Sequence, residues 1–194
     1  MAGEERNPHR VGSGPHVSSL GKLGDAALSY ARNGVPVFPV WSPTENGGCA
    51  CPKGLDCPRP AKHPITSRGF KDATTDPDIV RVWWTRHPRA NIGMPTGSES
   101  GLLVVDVDLD EGGFETLAAL VHRHRELPET PTVRTGGGGL HLFFQYPADA
   151  EIRNDTGRKL GPGIDVRGEG GYVLLPPSVH ATRRAYEWAG GQDG

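Results

Sequence analysis

Cysteine is scarce in this sequence: three residues in a chain of 194, an odd number that argues against a framework of paired disulfides. Long apolar runs are missing altogether. Nothing approaches the roughly 18 consecutive apolar residues of a membrane-spanning helix, and the N-terminus, MAGEERNPHRVGSGPHVSS, has no apolar centre of the kind a secretory leader carries. The expectation is a cytoplasmic protein with no membrane partner. A marked excess of one charge is also absent. The net charge is −2, so nothing global announces a nucleic-acid partner.

Glycine (28 residues) and proline (18) are plentiful and point to many turns and long connections. The length suffices for one good core, with or without a small appendage. Residues 1–18 have almost nothing to bury and read as a disordered tail; residues 19–194 read as one catalytic-sized unit with a Pro/Gly/Cys-rich insertion at 43–68. Residues 1–100 hold 12 Lys/Arg against 9 Asp/Glu, and residues 101–194 hold 9 against 14, so negative charge gathers in the second half.

SLGKLGDAALSYARNG predicts a helix stopped near Gly34, and VPVFPVW a strand. TTDPDIVRVWWTRHP predicts a helix with Asp76 as N-cap, Pro77 in its first turn and Pro88 at its end. Trp83 and Trp84 lie on it, one of them in the core. NIGMPTG and LLVVDVD read as strands, and residues 112–126 as a helix. TVRTGGGGLHLFFQY is strand, glycine loop, strand; GIDVRGEGGYVLLPPS reads as a strand pair joined by glycines, and AYEWAGG as a last edge strand. Strands and helices do not alternate strictly. That predicts an α+β fold, an antiparallel or mixed sheet with flanking helices.

Side chains two apart in a strand share a face. Val104, Asp106 and Asp108 therefore stand together, with Val105 and Val107 opposite as core anchors. Adjacent carboxylates ionise together cheaply only with a cation between them. The pair points to Mg²⁺ or Mn²⁺, or else to a solvated strand end entering the turn DLDEGG. His141 follows four glycines, where Gly138 and Gly139 bring backbone N–H groups within reach of a phosphate; the alternative is a histidine on the wet side of a strand. Asp165 and Arg167 share a face too, as a metal ligand beside a phosphate clamp or as a cross-strand ion pair of little worth. Taken together, Asp106, Asp108 and Asp165 suit two divalent ions, and His141 and Arg167 suit phosphates. That is the layout of two-metal phosphoryl transfer.

All the cysteines fall in CACPKGLDCPRPAKHP. Cys49, Cys51, Cys57 and His63 match the inventory of a structural Zn²⁺ site, the other reading being free thiols in a flexible loop. Lys53, Arg59 and Lys62 give that loop a cationic rim suited to DNA or a triphosphate. His122 and His124 in HRHR point apart on a helix and suggest no paired-histidine site.

VVDVD, TGGGGLHLFF and GIDVRGEGGYVLLPPSVH resemble the three signature motifs of the bifunctional primase–polymerase domain of the archaeo-eukaryotic primase superfamily. GVPVFPV, KHPITSRGFKDATTDP and VWWTRHPRANIGMPTG resemble its N-terminal half, so the likeness covers residues 20–188. The resemblance implies an RRM-like antiparallel sheet packed on a helical and mixed module, and a zinc-bearing element beside it. It implies template-directed DNA primase and polymerase activity on single-stranded DNA with NTPs or dNTPs, in plasmid, phage or mobile-element replication. Asp106, Asp108 and Asp165 become metal ligands and His141 the nucleotide-phosphate contact. A C-terminal helical or helicase domain is the implied partner. Ser178 and His180 fall in the similar stretch, as substrate contacts or as turn residues. The family's second motif often carries a serine near the glycines; here all four positions are glycine, which leaves backbone N–H groups to serve the phosphate. Two other classes fit the same residues: a catalytically silent zinc-containing nucleic-acid-binding module, and a metal-dependent phosphohydrolase.

Overall fold

The computed structural model describes residues 19–190; the tail predicted to be disordered, residues 1–18, lies outside the described residues. Helix α1 (Gly21–Arg32) buries Gly24, Ala27, Leu28 and Ala31, the three- and four-residue spacing of one helical face. Helix α2 (Pro77–Arg86) starts as expected. The Asp76 carboxylate accepts from the N–H groups of Asp78 (2.8 Å) and Ile79 (3.4 Å), with Pro77 in the first turn. Its Trp84 is fully buried and donates its indole N–H to the Ala90 carbonyl, while Trp83 is only half-buried.

Strands β1 (Phe38–Val40), β2 (Asn91–Pro95) and β8 (Tyr172–Leu175) form a small antiparallel sheet with β2 in the middle. The remaining strands are β3 (Leu102–Val107), β4 (Thr132–Arg134), β5 (Leu140–Gln145), β6 (Asp155–Thr156), β7 (Ile164–Arg167) and β9 (Glu187–Trp188). They make a second antiparallel sheet in the order β6-β7-β3-β5-β4-β9, with helix α3 (Gly113–Arg123) between β3 and β4 in the chain. The fold is α+β, as the lack of strict alternation predicts, and β9 is the expected edge strand.

Two expectations need correction. GIDVRGEGGYVLL does not form a strand pair: β7 belongs to the large sheet and β8 to the small one, so the glycine turn carries the chain between sheets. Nor do the two faces of β3 divide cleanly into core and site. Val107 is fully buried, but Val105 is only half-buried, and Val104, on the carboxylate face, joins Phe143, Val133 and Tyr186 in the main core with Phe38, Ile92 and Leu174 of the small sheet. One end of that face packs against the small sheet and the other end stays open. The split follows from amphipathic order within a single face, which alternation alone does not reveal.

Among the described residues no helix is long and apolar enough to cross a membrane.

Candidate active site

Strand β3 lies between β5 and β7, and the register places Asp106 opposite His141 on one side and Asp165 on the other. One row across three strands therefore reads His141, Asp106, Asp165. The next row reads Phe143, Val104, Arg167. Directly paired residues bring their side chains within contact range, so residues far apart in the chain become one cluster.

Arg167 bridges the two carboxylates. Its Nη2 donates to Asp165 Oδ2 at 2.7 Å and to Asp106 Oδ2 at 3.1 Å. Burial pushes the Asp165 carboxyl above its usual range; Arg167 opposes that shift, while Asp106, Glu111 and Asp108 reinforce it. The cluster thus holds more negative charge than one guanidinium neutralises, the condition that favours a hard cation. Asp108 follows the end of β3 and is exposed. It lines the same groove, but its Oδ1 accepts from the Asp110 N–H at 3.0 Å. The three aspartates do not all draw their oxygens within 4.8 Å of one another in the free protein.

His141 is 5% exposed. Its Nε2 lies 3.4 Å from Asp106 Oδ1, and its buried Nδ1 has no partner among the described residues. Burial holds the imidazole below its usual pKa, with Asp106 opposing and Arg167 and Lys62 adding to the effect. The ring is neutral near pH 7, and the neighbouring carboxylate favours its single proton on Nε2.

The glycine loop differs from its expected role. Thr135 closes it: the Gly138 N–H donates to the Thr135 carbonyl at 2.9 Å, and the Gly139 N–H donates to Thr135 Oγ1 at 3.0 Å. Both amides assigned to phosphate are thus already engaged. Gly139 is needed for another reason, because a Cβ there would sit inside contact distance of the Val107 carbonyl oxygen at the end of β3. Gly138 faces a neighbouring recess with Arg134 and Arg184, whereas Gly137 and Gly139 line the groove. Among the described residues, the Gly136 and Gly137 amides have no acceptor.

The groove encloses about 820 Å³, a volume suited to a nucleotide-sized ligand. The insertion supplies part of its wall. Arg59 and Lys62 line it beside Asp106, Asp165 and Arg167, and Lys53 does not. Two further residues complete it. Tyr186 is buried, and its phenol is pushed up by burial, with Asp106 and Asp108 adding to the shift. His180 faces the groove, but Ser178 is fully buried and accepts from the Ile92 N–H, a structural link between segments. AYEWAGG carries no signal for Tyr186 beyond strand periodicity, whereas His180 is already a candidate from its place in PPSVH. His122 and His124 are exposed on α3 or just beyond it and take no part.

Cys49, Cys51, Cys57 and His63 do converge, their ligand atoms all within 4.8 Å of one another. His63 Nε2 lies 3.4 Å from both Cys49 Sγ and Cys57 Sγ. A tetrahedral Zn²⁺ with its ordinary Zn–S and Zn–N bonds separates sulfur from nitrogen by about 3.6 Å, so the spacing fits. The unusual CxC-x5-C-x5-H pattern works because a 3₁₀ turn, Gly54–Asp56, folds the loop back: the Cys49 N–H donates to the Gly54 carbonyl, and the Gly54 N–H to that of Cys51. Trp41 packs against the cluster, and the cysteines are buried. The group can hold a metal ion.

A family model described as bifunctional DNA primase/polymerase, N-terminal, matches residues 27–193. The matched stretch contains both sheets, the four-residue metal group and every groove residue named above. Comparison with curated proteins finds no match.

Proposed function

Because this chain belongs to the bifunctional DNA primase/polymerase family, we propose that it makes and extends primers by template-directed nucleotidyl transfer, in replication of the plasmid, phage or mobile-element type. The observation that carries the reading is the row His141, Asp106, Asp165 across three adjacent strands, with its surplus negative charge, at the floor of a nucleotide-sized groove. The strand order β7-β3-β5-β4, with α3 between β3 and β4, supports an RRM-like sheet as the platform. Residues 19–194 form the catalytic domain, and residues 43–68 its zinc-binding insertion.

Asp106 and Asp165, with Asp108 at the groove's edge, are the ligands for Mg²⁺ or Mn²⁺. When bound, two such ions lower the pKa of an attacking 3′-hydroxyl and neutralise the triphosphate and the leaving pyrophosphate. Arg167 keeps the two carboxylates in register in the free protein and presents spare guanidinium donors for a phosphate oxygen. His141, neutral and fixed by its burial, offers one N–H at the same spot. No side chain acts as a nucleophile. Tyr186 keeps its proton and walls off the base of the groove. Zn²⁺ on Cys49, Cys51, Cys57 and His63 has a structural role, and the loop it closes brings Arg59 to the groove. The substrates are NTPs or dNTPs and a single-stranded DNA template, and a C-terminal helical or helicase domain is the natural partner of a module of this kind.

Primer extension on a single-stranded template with Mg²⁺ or Mn²⁺ tests the proposal. Asp106→Asn and Asp165→Asn should each lose incorporation by about a hundredfold or more while still binding the template. Undiminished incorporation in both variants, or a wild-type chain that only hydrolyses phosphate esters, refutes it.

A further inference from the structure

We propose that Lys62, the His180 imidazole N–H and the Gly137 amide form a second phosphate subsite in the groove, which takes the β- and γ-phosphates of the incoming nucleoside triphosphate. The inference rests on the nucleotidyl-transfer reading above and assigns three donors which that reading leaves without a role.

The first donor is the His180 ring, held at Nδ1 by Thr182. His180 Nδ1 lies 3.2 Å from the Thr182 N–H and 3.1 Å from the Thr182 hydroxyl oxygen, and the backbone N–H can only donate, so it selects the ring form whose Nδ1 is unprotonated. The proton of the neutral ring is therefore on Nε2. Burial holds this histidine below its usual pKa, with Lys62 and Arg184 adding to the effect and Asp108 opposing it. The Thr182 hydroxyl and Arg184 Nε both donate to the Gly136 carbonyl, at 2.7 and 2.9 Å, and so fasten the His180 loop to the glycine hairpin.

That hairpin supplies the second donor. A Cβ on Gly137 would lie 3.7 Å from His180 Cε1 and 3.9 Å from Nε2, so the main chain runs beside the ring. Its amide lacks an acceptor among the described residues, unlike the amides of Gly138 and Gly139.

Lys62 is the third. Its side chain is exposed at the groove, yet its backbone is held on every side. Tyr172 donates its hydroxyl to the Lys62 carbonyl at 2.6 Å, Asn91 Nδ2 donates to that of Ala61, and the Trp41 N–H to that of His63. Ala61 is fully buried at φ +60°, a left-handed conformation that residues with a Cβ rarely adopt. Backbone held in such a state by its surroundings is common where a side chain must be aimed. Lys62, Gly137 and His180 all line the one groove, so the three donors open onto the same space. The subsite shares its groove with Asp106 and Asp165, so a multiply charged anion held there would also meet the divalent ions that the reading above assigns to those carboxylates. A triphosphate fits that description better than a phosphodiester strand.

The test is equilibrium binding, with Mg²⁺ present, of a deoxynucleoside triphosphate, the matching monophosphate and a single-stranded oligonucleotide to wild type, Lys62→Gln and His180→Gln. Each variant should bind the triphosphate about tenfold more weakly or worse, because a charge-assisted hydrogen bond is lost. Monophosphate and oligonucleotide affinity should stay within about twofold. A triphosphate-to-monophosphate ratio unchanged in both variants overturns the subsite. So does a parallel loss of oligonucleotide affinity, which would assign these donors to the DNA backbone. If wild type binds no nucleoside triphosphate at all, the nucleotidyl-transfer reading fails together with the subsite; if wild type binds it and the variants match, only the subsite fails.

Discussion

Replacing Gly139 with alanine separates two accounts of the glycine loop. If the glycines exist to cradle a phosphate, a methyl group should weaken nucleotide binding and spare the fold. The geometry gives the opposite expectation. A Cβ on Gly139 meets the Val107 carbonyl oxygen well inside contact distance and lies only 3.4 Å from Asp108 Cα, both in the backbone of the neighbouring strand end. Neither atom can swing aside as a flexible side chain would. The hairpin must lift from β3, which strains the Thr135 hydrogen bonds and the first rungs of the β3–β5 ladder at Val107–Leu140 and Asp106–His141. Overpacking of this kind costs about 3 kcal/mol, a large share of the stability of a typical domain. For a domain of this size that lowers Tm by roughly 6–12 °C. Gly137→Ala is the control: its Cβ meets nothing closer than 3.6 Å, so the fold should survive while the methyl group intrudes beside His180. Thermal and urea unfolding of the two variants give the answer. A Gly139→Ala protein within about 0.5 kcal/mol of wild type would refute the packing account.

Asp165→Asn should change how stability depends on pH. Because burial and the neighbouring carboxylates raise the native Asp165 pKa above the ordinary 3.8, the native state favours its protonated form. That contribution is present below the ordinary value and is lost as pH rises through the raised one, so the Asn variant should gain on wild type from about pH 4 upward. Mg²⁺ or Mn²⁺ should raise the wild-type Tm at pH 7 and do less for the variant; a pH-independent difference in Tm refutes the charge account. Elemental analysis of the purified protein should find one zinc per chain, and Cys57→Ser should lose it. Chelation should alter tryptophan emission, since Trp41 packs on the cluster with its ring centre 6.3 Å from that of His63. A metal-free wild type indifferent to added Zn²⁺ would sink the assignment.

Local rules carried the reading of the elements. The Asp76 cap with Pro77 behind it marks α2 without ambiguity, and the apolar run ending in Asp106 marks β3, because caps and alternation are set by neighbours in the chain. The glycine segments misled for one reason in two places. GEGG reads as a hairpin but carries the chain from one sheet to another, and within GGGG the two glycines expected to cradle phosphate, Gly138 and Gly139, instead close the hairpin, with Gly139 making room for the end of β3. A glycine advertises close approach without naming what approaches. The place of Tyr186 in the groove and the anchoring of the Lys62 backbone were illegible because their neighbours, His141 and Tyr172, lie 45 and 110 residues away.

The sequence by itself determined the α+β class, the position of Asp106 on β3, and the ligand inventory Cys49, Cys51, Cys57 and His63, because side-chain chemistry and short-range periodicity are local properties. Only the tertiary structure decided that β5 and β7 flank β3 so that His141, Asp106 and Asp165 form one row. It alone put Arg167 between the carboxylates and carried Lys62 and His180 to the same groove. Register, crossover and strand order depend on how distant apolar faces find each other, and that is settled only when the core closes.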